Sequence, residues 1–169
     1  MQYDEKKALS AVRLEHAKEC LGAAKSLQNS ENYKSAANRS YYAIFHAMRA
    51  VLAFDGIDMK HHSGVISEFR KLYIKTNIFD IKLSQIISVL FDIRTESDYD
   101  DFFIISKSEV QEQIENAEYF LNRVKTYKNN YNKKKTASPV RAIAVYRYFC
   151  SVFLQHFVFN QLFTHLLRT

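Results

Sequence analysis

Two residues in the stretch Asn38-Arg-Ser-Tyr-Tyr-Ala-Ile-Phe-His-Ala-Met-Arg49 are of the types that handle phosphate and protons, Arg39 and His46, seven positions apart. In a helix, seven steps of about 100° bring two side chains to within roughly 20° of one face, about 10.5 Å apart along the axis. That is too far for a direct hydrogen bond, but it is a distance over which a phosphodiester and its flanking ribose could be held. Tyr42 lies between the two on this face, and Arg49 follows His46 by three residues. A histidine titrates close enough to neutral to take the proton from a ribose 2′-hydroxyl or to give one to a leaving 5′-oxygen. An arginine stays charged and makes paired hydrogen bonds, so it can hold the phosphate and stabilise the charge that builds on it. Together they are equipment for cutting RNA without a metal ion. Arg49, one turn from His46, favours the neutral imidazole. The plainer reading makes Arg39 a surface cation and His46 a partly buried helix residue, since an Arg and a His seven apart often arise by chance.

The helix that carries this line is expected from about Tyr33 to Phe54, with Tyr41, Ile44, Phe45, Met48 and Leu52 supplying its core contacts. A first helix is expected from about residue 4 to 29, where Leu9, Val12, His16, Cys20, Ala23 and Leu27 recur at steps of three and four. His16 falls on that stripe and reads as a buried, hydrogen-bonded core histidine rather than a catalytic one. The segment "NSEN" breaks the pattern with turn-forming residues, and "DGIDMKHHSG" ends the second helix through a turn at Gly56. Ser63 is a plausible cap for a third helix with Val65, Ile66, Phe69, Leu72 and Tyr73 on its apolar face. Ile86, Val89, Leu90 and Ile93 mark a fourth. "SDYDDFFIISKSE" reads as a loop into a fifth helix from about Ser106, whose buried stripe is Val110, Ile114, Ala117, Leu121 and Val124.

Three glycines and one proline in 169 residues argue against a β-rich chain, which needs turn residues at short spacing. Short links between long helices favour antiparallel neighbours, so the fold class is all-α, an up-and-down bundle of four to five helices with an additional C-terminal helical extension. The bundle is expected over 1–130, a basic linker over 131–140 and a hydrophobic, basic extension over 141–169. Cys20 and Cys150 stand far apart without a partner motif, which suggests neither a disulfide framework nor a zinc site and fits a reducing cytoplasm. The N-terminus lacks the apolar stretch of a secretory signal.

The net charge of +6 would raise nucleic acid as a partner, but its distribution argues otherwise. Residues 119–169 hold nine Lys or Arg and no acid, which leaves 15 basic against 18 acidic residues in 1–118. The basicity thus belongs to the tail and says nothing for RNA binding by the bundle. Between Arg147 and Arg168 the tail has about the length of a membrane span, but Gln155, His156, Asn160, Gln161 and His165 interrupt it. A helix packed on the bundle or on a partner, or an amphipathic surface helix, is the better account. Recently acquired sequence with no selected role is a further one.

"AANRSYYAIFHAMRAVL", then "HHSGVISEFRKLY", then "LFDIRTESDYDDF" resembles, in that order and over roughly residues 5–128, the HEPN domain family and its small prokaryotic UPF0332-like branch. The most specific element is an arginine, four to six residues and a histidine, here Arg39 and His46 with six between. His62 and Gly64, Phe69, and Arg94 with Asp98 and Tyr99 are the later matches. The resemblance implies a helical bundle that dimerises and brings two Arg-His motifs to one cleft. It also implies metal-independent endoribonuclease activity without a cofactor, and a toxin–antitoxin module whose partner is a minimal nucleotidyltransferase that in some systems adds AMP to a tyrosine. Arg39 and His46 become the catalytic pair and Asn38 the polar neighbour of the arginine. Tyr42, His62, Arg94 and Tyr99 become cleft walls or RNA contacts. Interhelix hydrogen bonding accounts equally well for Tyr42 and Tyr99. The residues after His46 are Ala47, Met48 and Arg49, so the tyrosine that some such toxins carry there for modification is missing, and Tyr41, Tyr42 or Tyr99 remain to be considered. The alternative function is a non-catalytic module that binds a nucleotide or works with the nucleotidyltransferase.

Overall fold

In the computed structural model, which describes residues 3–136, α1 (Tyr3–Asn29) and α2 (Tyr33–Phe54) are joined by three residues. Glu31 makes the reversal with a left-handed backbone, φ 62°. Asn32 then caps α2 by accepting a hydrogen bond from the backbone N of Ser35. The two helices form an antiparallel hairpin. Near its open end Ser10 Oγ donates to the carbonyl of Ala50 at 2.6 Å and Arg13 Nη1 to the carbonyl of Arg49 at 3.3 Å. This register decides which α1 residues face Arg39 and His46 on α2.

Helix α3 (His62–Phe69) continues into a π-helical turn, Arg70–Ile74, and is followed by α4 (Ile81–Tyr99) and α5 (Lys107–Thr136). Asp80 caps α4 through the backbone N of Lys82 at 2.7 Å. Ser106 and Glu109 close α5 reciprocally: Ser106 N donates to Glu109 Oε2 at 2.8 Å and Glu109 N to Ser106 Oγ at 3.3 Å. Ser63, the expected cap of α3, lies inside the helix instead, because the chain turns helical at His62 behind an extended His61 that makes no side-chain cap bond. Gly56, at φ 86°, makes the turn after α2, where an added Cβ would strike the Lys6 side chain. Among the described residues the fold is all-α, with five α-helices and no strand.

α2 is the central element and buries 14 of its 22 residues, six of them alanines, so neighbouring helices approach its backbone closely. Tyr41, Ile44, Phe45, Met48 and Leu52 are buried as expected, as are Val110, Ile114, Ala117, Leu121 and Val124 on α5. On α4 the buried residues are Leu83, Ile86, Ile87, Leu90 and Ser97, while Val89 is 43% exposed. On α1 the expected stripe is rotated: Val12 and His16 are exposed, and Ser10, Arg13, Ala17 and Ala24 are buried. Two of those four are polar, and their hydrogen bonds to α2 carbonyls offset the cost of burying them. Hydropathy spacing registers no such compensation.

The chain divides into two compact units, Met1–Tyr127 and Lys128–Thr169. α5 continues as helix to Thr136, through the start of the segment expected as linker. Lys and Thr without Gly or Pro before Pro139 give nothing that breaks a helix earlier. The extension expected over 141–169 lies outside the described residues. No helix among those described is long and apolar enough to cross a membrane.

Candidate functional site

Arg39, Tyr42, His46 and Arg49 form the half-buried polar edge of α2, at the margin of the face that fills the core. The Arg39 guanidinium stands 4.9 Å from the centre of the Tyr42 ring, a cation–π contact that holds it along the helix. Asn38 steadies it further by accepting from Arg39 Nη2 at 3.0 Å. Asn38 Nδ2 in turn donates to Asp98 Oδ1 at 3.3 Å, and the other oxygen of Asp98 pairs with Arg94 at 2.7 Å. Arg94, Asp98, Asn38 and Arg39 thus make one polar chain from α4 to α2.

His62, at the first position of α3, shares a 2.7 Å hydrogen bond with the Tyr41 hydroxyl and stacks on Phe45 at 4.3 Å between ring centres. Burial first, then the charges of Arg94 and Arg49, push its pKa down, while Asp98 pushes it up. Burial likewise raises the Tyr41 pKa, so that hydroxyl keeps its proton.

His46 sits in the middle of this edge. Its Nδ1 is buried without a hydrogen-bond partner, which leaves Nε2 as the nitrogen for a ligand. Burial, followed by the charges of Arg49, His16, Arg13 and Arg39, lowers its pKa to about 4. It is therefore neutral at pH 7, the form a general base requires. Of the cations around it, Arg13 is buried and pairs with Asp58 at 2.5 Å, and Arg49 reaches the same carboxylate at 3.4 Å. The hydrogen bond from Arg13 chiefly holds Asp58 well below the usual carboxylate range.

The histidine opposite is His16. Its ring meets that of His46 edge to face, 5.7 Å between centres, and it is exposed rather than a core residue. Sequence spacing placed it on the buried stripe because that stripe was one step off. The antiparallel register that pairs Ser10 with Ala50 and Arg13 with Arg49 carries on to bring His16 opposite His46. The hairpin turn was legible in the sequence, so counting back from it would have found this neighbour.

The fold therefore gathers Asn38, Arg39, Tyr42, His46, His62 and Arg94 around one edge of α2. Tyr99 is not among them: it closes α4 with 82% of its surface exposed. The reason is the helix phase, since Tyr99 follows Asp98 and points about 100° away from the side chain that reaches Asn38. A separate cavity of about 540 Å³ between α3, the π turn and α4 is lined by Ser63, Arg70, Lys75, Ser88 and Phe91 among others, and includes neither Arg39 nor His46. Among the described residues no group of three or more His, Cys, Asp or Glu is placed to hold a metal ion.

The HEPN domain model matches residues 10–127, which contain this whole site. A Methanocaldococcus jannaschii protein named "Putative toxin MJ0142" is 38% identical over 114 residues, 68% of this chain and 78% of that protein. A Thermotoga maritima "UPF0332 protein" is 32% identical over 121 residues, 72% of this chain and 92% of its own length. A second Methanocaldococcus jannaschii protein, "Putative toxin MJ0605", is 33% identical over 112 residues.

Proposed function

The chain belongs to the HEPN domain family, and from that premise we propose that it is a metal-independent endoribonuclease, the toxin of a toxin–antitoxin module, in which Arg39 and His46 carry out the cleavage. The observation that carries the reading is the state of His46: neutral, with its Nδ1 sealed and an arginine on the same helix face. Nε2 takes the proton of the 2′-hydroxyl, the 2′-oxygen attacks phosphorus, and Arg39 stabilises the negative charge that accumulates on the phosphoryl oxygens. Cleavage leaves a 2′,3′-cyclic phosphate. Asn38 and the Asp98–Arg94 pair keep the Arg39 fork in place, and Tyr42 and His62 wall the edge on which the RNA strand lies. The names of the two Methanocaldococcus relatives support the toxin part of the reading. We propose further that the protein works as a homodimer in the cytoplasm with a minimal nucleotidyltransferase as its antitoxin.

The test is incubation of a mixed RNA with the purified protein in EDTA, with end-group analysis of the products. Cyclic-phosphate ends are the expected result, and an unmutated protein that leaves the RNA whole would overturn the proposal. One observation favours the alternative of a non-catalytic partner module. Tyr99, Phe102 and Ile104 are 82%, 89% and 90% exposed in a segment rich in aspartate, a surface suited to a protein partner. A stable complex with a nucleotidyltransferase and no cleavage by the free protein would move the assignment there.

A pH prediction follows from the same site. The base must be unprotonated, and the folded pKa of His46 is about 4, below the ordinary histidine value of 6.5. The acid limb of kcat/KM, which reports the free enzyme, is therefore expected near pH 4 rather than 6.5, with the rate falling as pH drops through that limb. In Arg49→Ala, which removes the largest charge acting on His46, the limb moves to higher pH. A limb at 6.5 in both proteins would contradict the site described.

A further inference from the structure

Cleavage of a phosphodiester needs two proton transfers, and His46 as base accounts for one. When the bond to the 5′-oxygen breaks, the electron pair leaves with that oxygen, and an alkoxide departs far more readily if it is protonated as it goes. Neither arginine beside His46 serves as that acid, because a guanidinium does not give up its proton at neutral pH. His62 is committed through Nδ1 to Tyr41 and lies flat on Phe45. His16 is the imidazole in direct ring contact with His46: it stands on α1, exposed to solvent, with its ring 5.7 Å from that of His46 and inclined by 78° to it.

We propose that His16 is the general acid of the same reaction, so that a single chain supplies both proton-transfer groups, His46 from α2 and His16 from α1. This rests on the ribonuclease reading above and names the residue that completes it. The geometry suits the division of labour. The two rings are in edge-to-face contact, so a phosphate held at His46 lies beside His16, and each imidazole needs hydrogen-bond reach, about 2.6–3.2 Å, of the oxygen it serves. His46 is half-buried among cations, which suits a group that must begin without a proton; His16 is open to water, from which it can be reprotonated. In the step itself the 2′-oxygen loses its proton to His46 and bonds to phosphorus. The bond from phosphorus to the 5′-oxygen breaks, and that oxygen takes the proton of His16. The products are a 2′,3′-cyclic phosphate and a free 5′-hydroxyl. His46 returns its proton to solvent and His16 regains one, so the cycle closes without another reactant.

The experiment compares two substrates with the full chain and its His16→Ala and His46→Ala variants. One is the dinucleotide UpA, whose leaving alkoxide requires protonation. The other is uridine 3′-(4-nitrophenyl phosphate), whose nitrophenolate leaves without it. The expected result is that His16→Ala cleaves UpA about 10²- to 10⁴-fold more slowly while the nitrophenyl substrate is cleaved within about tenfold of the unmutated rate. His46→Ala is expected to be slow on both. Equal losses on the two substrates in His16→Ala, or a loss on neither, would overturn the assignment of His16 while leaving the ribonuclease intact. Failure of the unmutated protein on both substrates would overturn the ribonuclease reading and this proposal with it. His16 is exposed, so thermal unfolding of His16→Ala should match the parent, and His16→Gln is the second variant, expected to behave as the alanine does.

Discussion

His46→Ala is expected to lower kcat/KM for RNA by about 10²- to 10⁴-fold with almost no change in stability. Loss of the proposed base accounts for the first part. The second follows from what surrounds the ring. A half-buried imidazole whose Nδ1 has no partner contributes little to folding, because its unsatisfied nitrogen carries a desolvation cost that its aromatic contacts must offset. Truncation removes both together, and a net change within about 1 kcal/mol is expected. Arg39→Lys tests the other member of the pair. Lysine keeps the charge but lacks the planar fork that Asn38 orients and that stacks over Tyr42. Its loss should therefore be substantial despite the conserved charge. Rate measurements beside urea unfolding of each variant check both points. Cleavage by His46→Ala at the parent rate would remove His46 from the chemistry.

Phe69→Ala is expected to do the reverse, destabilising the bundle by about 3–5 kcal/mol without touching Arg39 or His46. Phe69 is fully buried at the end of α3, and its ring packs against Tyr73 at 5.3 Å, Phe79 at 5.5 Å and Phe120 at 5.7 Å between centres. These partners lie on the π turn, the loop before α4, and α5, so one ring ties the turn and loop that follow α3 to the distant α5. None of them can close the void without moving the others, which places the cost toward the upper end of the range for such truncations. Domains of this size have roughly 5–15 kcal/mol in total, so a large share of the stability goes at once. Thermal unfolding followed by circular dichroism should show a melting point lower by roughly 10 °C or more. Phe69→Leu, which keeps most of the volume, should cost less than half as much. An unchanged melting point in Phe69→Ala would mean that the ring cluster is not the keystone of the core.

How much of this was readable beforehand differs from helix to helix, for physical reasons. On α2 and α5 the buried side is apolar and the helix is long, so three- and four-residue spacing identified Tyr41, Ile44, Met48, Val110 and Leu121 correctly. On α1 the buried side includes Ser10 and Arg13, whose burial is permitted only by hydrogen bonds to Ala50, Arg49 and Asp58. Those acceptors are more than thirty residues away in the chain, and the stripe read from α1 alone was accordingly rotated toward Val12 and His16. The placement of Tyr99 has a different cause. It belongs to a matched motif, yet the last turn of α4 directs Asp98 toward Asn38 and leaves its neighbour in solvent.

The sequence by itself determined the helical class, the three-residue hairpin, the family, and the common face of Arg39 and His46, because each depends on spacing within one helix or on residues adjacent in the chain. Tertiary structure alone decided what surrounds that face. It set His16 against His46 through the register of two antiparallel helices, joined Arg39 to Asp98 and Arg94 on α4, and placed Arg13 and Arg49 where, together with burial, they hold His46 neutral. Proton affinity and hydrogen-bond partnership depend on distances of a few ångströms between segments far apart in the chain, and only packing fixes those distances.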